Sequence, residues 1–281
     1  MIKLSVLFPV LMVVFVSTLQ ANNSNSYFPW LVYYANSATV DSFSDYQLLV
    51  FDSENHPPLD KLKKQGKLLL GYISLGEVES YRSYFGDVKK QGILLNENLY
   101  WKGSFFVDMR SDYWPQLVIE QLIPKILEQG FDGVFLDTLD NPLFLENQDP
   151  VKYKGMKKAA VRLVKAIRLY FPYAKIMMNR GYELIDDVAP FIDMILGESV
   201  YADYSFERKK YQLVESSTYK QQVMLLKNAL KINPKMGIYT LDYWDPDDKN
   251  MIRQIYQVQR SKGFIPYVST IKLDRIIKEP K

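Results

Sequence analysis

The sequence predicts a single α/β domain folded as a (β/α)8 TIM barrel. Eight strand-like apolar segments alternate with helical patterns over roughly 250 residues, which is the layout of this barrel. The segments lack strict two-residue alternation, as is typical of strands covered on both faces. An open doubly wound sheet is the alternative. It is disfavoured because the segment after the first strand, YYANSATVDSF, has no glycine for a phosphate loop.

The predicted strands are rich in Val, Ile, Leu, Phe and Tyr. They are expected at 31–35, 47–52, 68–75, 133–138, 175–180, 193–199, 235–242 and 264–269. Because parallel strands need long crossover connections, helices are expected between them.

Three connecting segments have a helical pattern, namely residues 112–130, 153–172 and 245–263. The first repeats apolar side chains near a 3.6-residue period, and the first and third end at a glycine that fits a C-cap. The region 76–115 is longer than a simple barrel connection, and its segment FFVDM (105–109) predicts a small extra strand. Long excursions of this kind often cover a binding cleft.

The N-terminus has the layout of a secretory signal peptide at residues 1–21. Lys3 precedes a run of about a dozen mostly apolar residues, which ends at Leu19-Gln20-Ala21 before a polar Asn/Ser patch. An uncleaved membrane anchor is the alternative, but the apolar run is short for a spanning helix. We therefore expect residues 22–281 to form an exported domain, either periplasmic or secreted.

The composition restricts the chemistry of this domain. The net charge is +3 and no long basic stripe is present, so nucleic acid is not an expected partner. The chain has no cysteine and a single histidine, His56, which excludes the usual zinc spacings and any Cys–His or Ser–His nucleophile. A cation site made only of carboxylates is the metal alternative. We expect no cofactor, no metal, no membrane contact after signal cleavage, and a monomer.

The carboxyl ends of barrel strands form the rim where reaction occurs. Two or three carboxylates acting there without a metal or imidazole suit glycosidic bond cleavage. In that reaction one acid protonates the leaving oxygen, while a second carboxylate attacks the anomeric carbon or activates water. The polar residues expected at this rim are Tyr33, Tyr34, Asp52, Ser74, Glu77, Asp137, Asn179, Arg180, Glu198, Asp242 and Ser269.

Asp137 and Glu198 are the best candidate pair among these acids. Each ends an apolar strand, where a bare carboxylate is costly unless it has a task. Because they end the fourth and sixth strands, the strand between would leave them facing each other across the barrel mouth. The structural alternative is a helix cap or an ion pair, for instance between Glu198 and Arg180.

Four sequence blocks resemble the endo-α-1,4-polygalactosaminidase-like glycoside hydrolases, a group that is also similar to the hydrolase domain of the Pel polysaccharide deacetylase/hydrolase. The resemblance spans nearly the whole mature chain, from about Trp30 to Arg275. The blocks are LLGYISLGEVESYR (69–82), FVDMRSDYW (106–114), GFDGVFLDTLD (130–140) and ILGESVYADYS (195–205).

This resemblance implies a (β/α)8 barrel that hydrolyses galactosamine-rich polysaccharide. It implies that Asp137 and Glu198 carry the reaction and, by analogy with related barrel α-glycosidases, that Asp137 is the nucleophile and Glu198 the acid/base. A carboxylate-lined groove suits partly deacetylated aminosugars, whose ammonium groups are cationic. The residues expected to bind substrate are Tyr34, Asp52, Glu77, Asp108, Asp140, Asn179, Tyr201 and Asp242.

Three functional hypotheses follow from these residues. The first is an exported retaining glycosidase acting on α-linked galactosamine or N-acetylgalactosamine polymers. The second is a catalytically inactive barrel that binds carbohydrate, and the third is an exported structural or interaction protein without sugar affinity. The presence of both acids favours the enzyme.

Overall fold

Eight parallel strands form one sheet whose spatial order follows the chain in the computed structural model, which describes residues 29–281. Each strand overlaps one predicted segment, so the (β/α)8 barrel is confirmed and the doubly wound sheet is excluded. The strands are β1 (Trp30–Tyr33), β2 (Leu48–Asp52), β3 (Leu68–Ser74), β4 (Gly133–Asp137), β5 (Lys175–Asn179), β6 (Met194–Glu198), β7 (Gly237–Tyr243) and β8 (Ile265–Ser269).

The barrel is nearly closed. Between β8 and β1, the gap is bridged by the Trp30 side chain and by the C-terminal segment that follows β8. The indole nitrogen of Trp30 donates a hydrogen bond to the carbonyl of Ile265 at 2.9 Å. The amide of Tyr34 donates to the carbonyl of Leu273 at 2.8 Å. Within the barrel, the Trp30 ring meets Tyr239 edge to face at a centroid distance of 5.4 Å. The interior is therefore a packed core that supports the rim.

Gly133 brings β4 and β5 close together. A Cβ atom at this position would lie 1.9 Å from the carbonyl oxygen of Lys175, so no larger residue fits. The ladder between the two strands begins at this pair and runs in register toward the rim. This glycine therefore helps to set Asp137, at the end of β4, beside Asn179, at the end of β5.

Helices cover the outside of the sheet between successive strands. The predicted helical patterns at 112–130, 153–172 and 245–263 are confirmed, and the first of them contains a π-helical turn in its middle. The helical segments are Val40–Phe43, Leu59–Lys64, Phe85–Lys90, Tyr113–Leu117, Val118–Leu122, Ile123–Glu128, Asn141–Gln148, Met156–Tyr170, Tyr182–Leu184, Ile185–Val188, Ala189–Phe191, Ser216–Ile232 and Lys249–Ser261.

Two excursions with antiparallel strands leave the barrel at the carboxyl ends of β3 and β6. The β3 insertion, residues 75–112, includes the strand predicted at 105–109. The β6 hairpin, residues 202–213, was not predicted. The strands are Glu77–Glu79, Leu94–Glu97 and Ser104–Val107 in the insertion, and Ala202–Ser205 and Lys210–Leu213 in the hairpin.

The predicted signal peptide, residues 1–21, lies outside the described residues, and so does the predicted start of the mature domain at residue 22. Both stay predictions. Within residues 29–281, no helix combines the length and the apolar character needed to cross a membrane.

Candidate active site

The ends of β4, β5 and β6 bring three polar side chains together at the rim. The side-chain amide of Asn179 donates to Oδ1 of Asp137 at 2.9 Å and to Oε2 of Glu198 at 2.5 Å. Because one nitrogen contacts both oxygens, they are at most 5.4 Å apart, the sum of these two distances. The two acids expected to face each other therefore meet at one place. Asn179, expected only to bind substrate, bridges them.

The residue directly after each of these side chains has a left-handed backbone. Thr138, Arg180 and Ser199 have φ values of 62°, 51° and 53°. Such a conformation costs roughly 1–2 kcal/mol for a non-glycine residue and persists only where the surroundings enforce it. The amide of Arg180 donates to the Leu196 carbonyl at 2.9 Å, and that of Ser199 to the Leu241 carbonyl at 2.8 Å. These turns take the chain away from the barrel at once and leave the three side chains at the rim.

Tyrosines surround the carboxylate pair. The hydroxyl of Tyr243 donates to Oε1 of Glu198 at 2.5 Å. Tyr34 packs edge to face on Tyr72 with ring centroids 5.2 Å apart. Burial and then the negative charge of Asp137 raise the pKa of Tyr34 and of Tyr72 well above the ordinary value. Both hydroxyls are therefore neutral near pH 7, and that of Tyr72 donates to Oε1 of Glu79 at 3.3 Å.

The environment of Asp137 disfavours its charged form. Burial and the negative charge of Glu198 raise the pKa of Asp137 to about 7, against the lowering effect of the hydrogen bonds from Asn179 and the Thr138 amide. A carboxyl group that titrates near neutrality can exchange a proton during a reaction, so this pair is suited to acid–base chemistry.

Arg180 does not form the alternative ion pair with Glu198. Its guanidinium lies 3.8 Å from Asp140, which stands on the turn after β4 and is about two-fifths exposed. The charge of Asp140 adds to the rise in the pKa of Asp137, after burial and Glu198. Asp140 therefore lies near enough to Asp137 for its charge to affect the pKa of that acid, and its role in binding substrate stays a prediction.

Asp52, another predicted binding residue, is engaged within the protein. It accepts two hydrogen bonds from the buried guanidinium of Arg82, at 3.0 and 2.7 Å. It also accepts from the amides of Glu54 and Asn55 at 2.8 and 3.0 Å. Arg82 in turn donates to Glu79 at 3.1 Å. Asp52 therefore fixes the turn after β2 against the β3 insertion.

Glu77 and Asp108 hold the β3 insertion in place. Glu77 is buried and accepts from the side-chain amides of Asn98 at 2.7 Å and Asn141 at 2.6 Å. Asp108 pairs with Arg110 at 2.7 Å, and the hydrogen bonds from Arg110 hold the pKa of Asp108 below its ordinary value. Both acids thus contribute to the shape of the rim.

Asp242 and Tyr201 lie at the base of the β6 hairpin. Asp242 is fully buried and accepts from the amides of Tyr201 and Ala202 at 2.7 and 2.9 Å, and from the side chain of Gln259 at 2.6 Å. Burial raises the pKa of Asp242 to about 6. The Tyr201 hydroxyl accepts from Gln254 at 3.1 Å. With all its oxygens inside the protein, Asp242 anchors the hairpin and is out of a ligand's reach.

Sequence reasoning missed Tyr243. Leu241 pairs with Glu198 across β6 and β7, so residues 241 and 243 share the inward side while Asp242 faces the helices. The residues of β7 are buried on both sides, so hydrophobic alternation gives no sign of which residues point inward.

The described residues include no group of three or more His, Cys, Asp and Glu side chains placed to hold a metal ion. His56 lies in the predicted turn, where its ring meets Phe131 edge to face at 5.1 Å. The chemistry that this rim offers is that of its carboxylates.

A barrel with two carboxylates a few ångström apart at the carboxyl ends of its strands has the arrangement that glycoside hydrolases use. The model of glycoside-hydrolase family GH114 matches residues 16–280, nearly the whole chain, and the protein belongs to this family. The family resemblance predicted from the four sequence blocks is therefore confirmed, and the protein is a glycoside hydrolase.

Two relatives and two solved structures are similar to the chain. An uncharacterized protein of Deinococcus radiodurans is 29% identical over 245 residues, covering 83% of this chain and 76% of the relative. The uncharacterized protein MJ1477 of Methanocaldococcus jannaschii is 29% identical over 290 residues, covering 94% and 81%.

The structures are the glycoside hydrolase domain of PelA from Pseudomonas aeruginosa and Ega3 of Aspergillus fumigatus in complex with galactosamine. The PelA domain has a TM-score of 0.79 at 23% identity, covering 89% of this chain and 98% of that one. Ega3 has a TM-score of 0.67 at 15% identity, covering 90% and 95%. At these identities the two structures establish the shared fold.

Proposed function

We propose that the protein is an exported retaining glycosidase that cleaves polysaccharide rich in α-linked galactosamine or N-acetylgalactosamine, with Asp137 and Glu198 as its catalytic residues. The observation that carries this proposal is the Asn179 bridge, which limits the closest carboxylate oxygens to 5.4 Å. Retaining enzymes hold their carboxyl groups about 5–5.5 Å apart, whereas inverting enzymes need about 6.5–9.5 Å to admit a water molecule. The spacing supports direct attack by one carboxylate.

Asp137 acts as the nucleophile and Glu198 as the acid and base, the assignment that the resemblance implies. Glu198 protonates the glycosidic oxygen while a carboxylate oxygen of Asp137 attacks the anomeric carbon, which forms a glycosyl ester and releases the leaving sugar. Glu198 then takes a proton from the water that hydrolyses this ester. Hydrogen bonds of 2.5 Å from Asn179 and Tyr243 orient Glu198 for both steps.

The substrate supplies the charge that ionises Asp137. In the free protein, a pKa of about 7 keeps a proton on this carboxyl group in mildly acidic solution. A galactosamine unit has an ammonium group on the carbon next to the anomeric carbon, and a nearby positive charge favours the ionised form of an acid. Binding of a deacetylated unit therefore prepares Asp137 for attack.

Two further observations support the substrate and the location. The fold is shared with the PelA hydrolase domain and with Ega3, whose structure contains galactosamine. The acid-rich rim suits a cationic polymer. Residues 1–21 have the layout of a signal peptide, which supports export to the periplasm or the medium.

The test is digestion of partly deacetylated α-1,4-galactosamine polymer by the mature chain and its variants. Asp137→Asn and Glu198→Gln should each lower the release of oligosaccharides by at least about a hundredfold while the circular dichroism spectrum stays unchanged. Asp45→Asn removes an exposed acid that pairs with Lys278, and it should leave activity unchanged.

Two product analyses test the mechanism. The first sugar released by the native protein should be the α-anomer when followed by NMR. With azide added, Asp137→Ala should yield a β-glycosyl azide and Glu198→Ala an α-glycosyl azide. Full activity in the Asn and Gln variants would refute the catalytic pair, and a β-anomeric first product from the native protein would refute retention.

A further inference from the structure

Five aromatic side chains at the rim form a continuous line of ring contacts, called here the aromatic ribbon. Consecutive ring centroids lie 5.3, 5.4, 5.1 and 6.3 Å apart. The rings come from three segments of the chain: the β3 insertion, the β6 hairpin and the turn after β7. In order along the ribbon they are Trp101, Phe206, Tyr204, Tyr211 and Trp244.

One end of the aromatic ribbon is next in sequence to a residue of the candidate active site. Trp244 directly follows Tyr243, whose hydroxyl donates to Glu198 at 2.5 Å. The hairpin that carries the middle of the ribbon starts four residues after Glu198, where Ser199 donates to Asp203 at 2.6 Å. Two of the three segments that carry the ribbon therefore start next to residues of the candidate active site.

The other end of the ribbon is exposed. Trp101 and Phe206 are 51% and 41% exposed to solvent. Their rings nevertheless contact each other, although one belongs to the β3 insertion and the other to the β6 hairpin. Single exposed apolar side chains are ordinary and need no explanation. Tyr173, which precedes β5 at the opposite end of the barrel, is such a case at 95% exposure. A line of touching rings on segments that start next to an active site is different, because its exposed rings can contact an extended ligand bound there.

We propose that the aromatic ribbon binds sugar units of the polymer several positions away from the cleaved bond. This inference rests on the proposed function, because it assigns the same aminosugar polymer as the ligand. The apolar faces of pyranose rings pack on aromatic rings, and the ammonium groups of deacetylated units add cation–π attraction. Trp101 and Phe206 are the exposed members, and their rings, which meet edge to face, can each contact a sugar unit. The ribbon makes the enzyme select long chains over short ones.

The test removes the exposed end of the ribbon and measures binding apart from turnover. Trp101→Ala and Phe206→Ala are made in the Glu198→Gln protein, and calorimetry measures the Kd for α-1,4-galactosamine polymer. Each substitution should weaken binding of the polymer about fivefold, corresponding to one exposed cation–π contact. Trp101→Phe should restore most of this loss. Tyr173→Ala, the matched change at the opposite end of the barrel, should bind as tightly as the parent.

A second measurement uses the active protein. Trp101→Ala should lower kcat/KM for long polymer several times more than kcat/KM for a trimer, because a trimer cannot reach from the carboxylate pair to the exposed rings. Unchanged Kd in both alanine variants, or equal losses on polymer and trimer, would overturn the inference while cleavage by the native protein upholds the proposed function. Ribbon-dependent binding without any cleavage by the native protein would uphold the inference and overturn the proposed function.

Discussion

Two groups of carboxylates at the same rim of the barrel are compensated in different ways. Near β2 and β3, Asp52 and Glu79 share the guanidinium of Arg82, at 2.7 and 3.1 Å. At the ends of β4 and β6, Asp137 and Glu198 share only the neutral amide of Asn179. A cation balances the charge of a buried acid, whereas an amide only donates hydrogen bonds to it.

The difference shows how one residue type serves two purposes on one fold. The acids around Arg82 contact its guanidinium and hold the β3 insertion against the barrel. Burial and the negative charge of Glu198 raise the pKa of Asp137 to about 7, so this carboxyl group titrates near neutrality. A shared guanidinium thus distinguishes the acids around Arg82 from the Asp137–Glu198 pair, which shares a neutral amide.

The largest effect should come from breaking the Arg82 ion pairs. Arg82→Met leaves the buried Asp52 and the half-buried Glu79 without their cation, and it should lower the free energy of unfolding by about 3–5 kcal/mol. Urea unfolding followed by circular dichroism measures this change. The matched control is Lys278→Met, which removes an exposed ion pair to Asp45 and should cost less than about 1 kcal/mol. An equal loss of unfolding free energy in the two variants would show that the Arg82 ion pairs do not stabilise the fold more than an exposed ion pair does.

Removing a charge from the Asp137–Glu198 pair should instead raise the free energy of unfolding at neutral and alkaline pH. Because the pKa of Asp137 is about 7 in the folded protein against 3.8 as the ordinary value, the folded state binds more protons between these limits, and stability falls as pH rises through them. Asp137→Asn removes this loss, so the variant should gain roughly 3–4 kcal/mol over the native protein as pH rises from 4 to 8.

Urea midpoints across this pH range measure the gain. Asp242, whose pKa burial raises to about 6, titrates in both proteins and cancels in the difference. A constant difference between the two proteins at all pH values would mean that Asp137 titrates normally.

The sequence was sufficient for the barrel but only partly for the rim. The eight strands could be predicted because each is an apolar segment bounded by turns, and Asp137 and Glu198 stood out as acids ending two of them. The bridging role of Asn179 and the inward position of Tyr243 depend on register, which buried strands do not reveal.

The roles of the other acids depend on partners that lie far away in the chain or on loops. Arg82 is thirty residues from Asp52 in the chain, and its guanidinium links Asp52 to the β3 insertion. The β6 hairpin was missed because its strands are short and their residues are mostly exposed or half-buried, so they lack the apolar pattern of a core strand.

A smaller effect should follow from deleting the neutral bridge. The Asn179 hydrogen bond favours the ionised form of Asp137, so Asn179→Ala should raise the pKa of Asp137 further. The acidic limb of the pH profile of kcat/KM, which reports the free enzyme, should move to higher pH by about one unit. Asn98→Ala is the matched control because Asn98 also donates to a buried carboxylate, that of Glu77, at 2.7 Å. A profile that moves in the Asn98 variant and stays fixed in the Asn179 variant would contradict the bridge.

The smallest effect concerns the backbone that holds the pair at the rim. Arg180 has φ = 51°, a conformation that costs an L-residue roughly 1–2 kcal/mol and glycine little. Arg180→Gly and Arg180→Ala remove the same side chain and the same distant contact to Asp140. Glycine should nevertheless be the more stable of the two by about 0.5–1 kcal/mol, since relief of the strain exceeds its greater entropy in the unfolded chain. If alanine proves the more stable in urea unfolding, the turn after β5 is not strained, and the pair must be held at the rim by side-chain contacts alone.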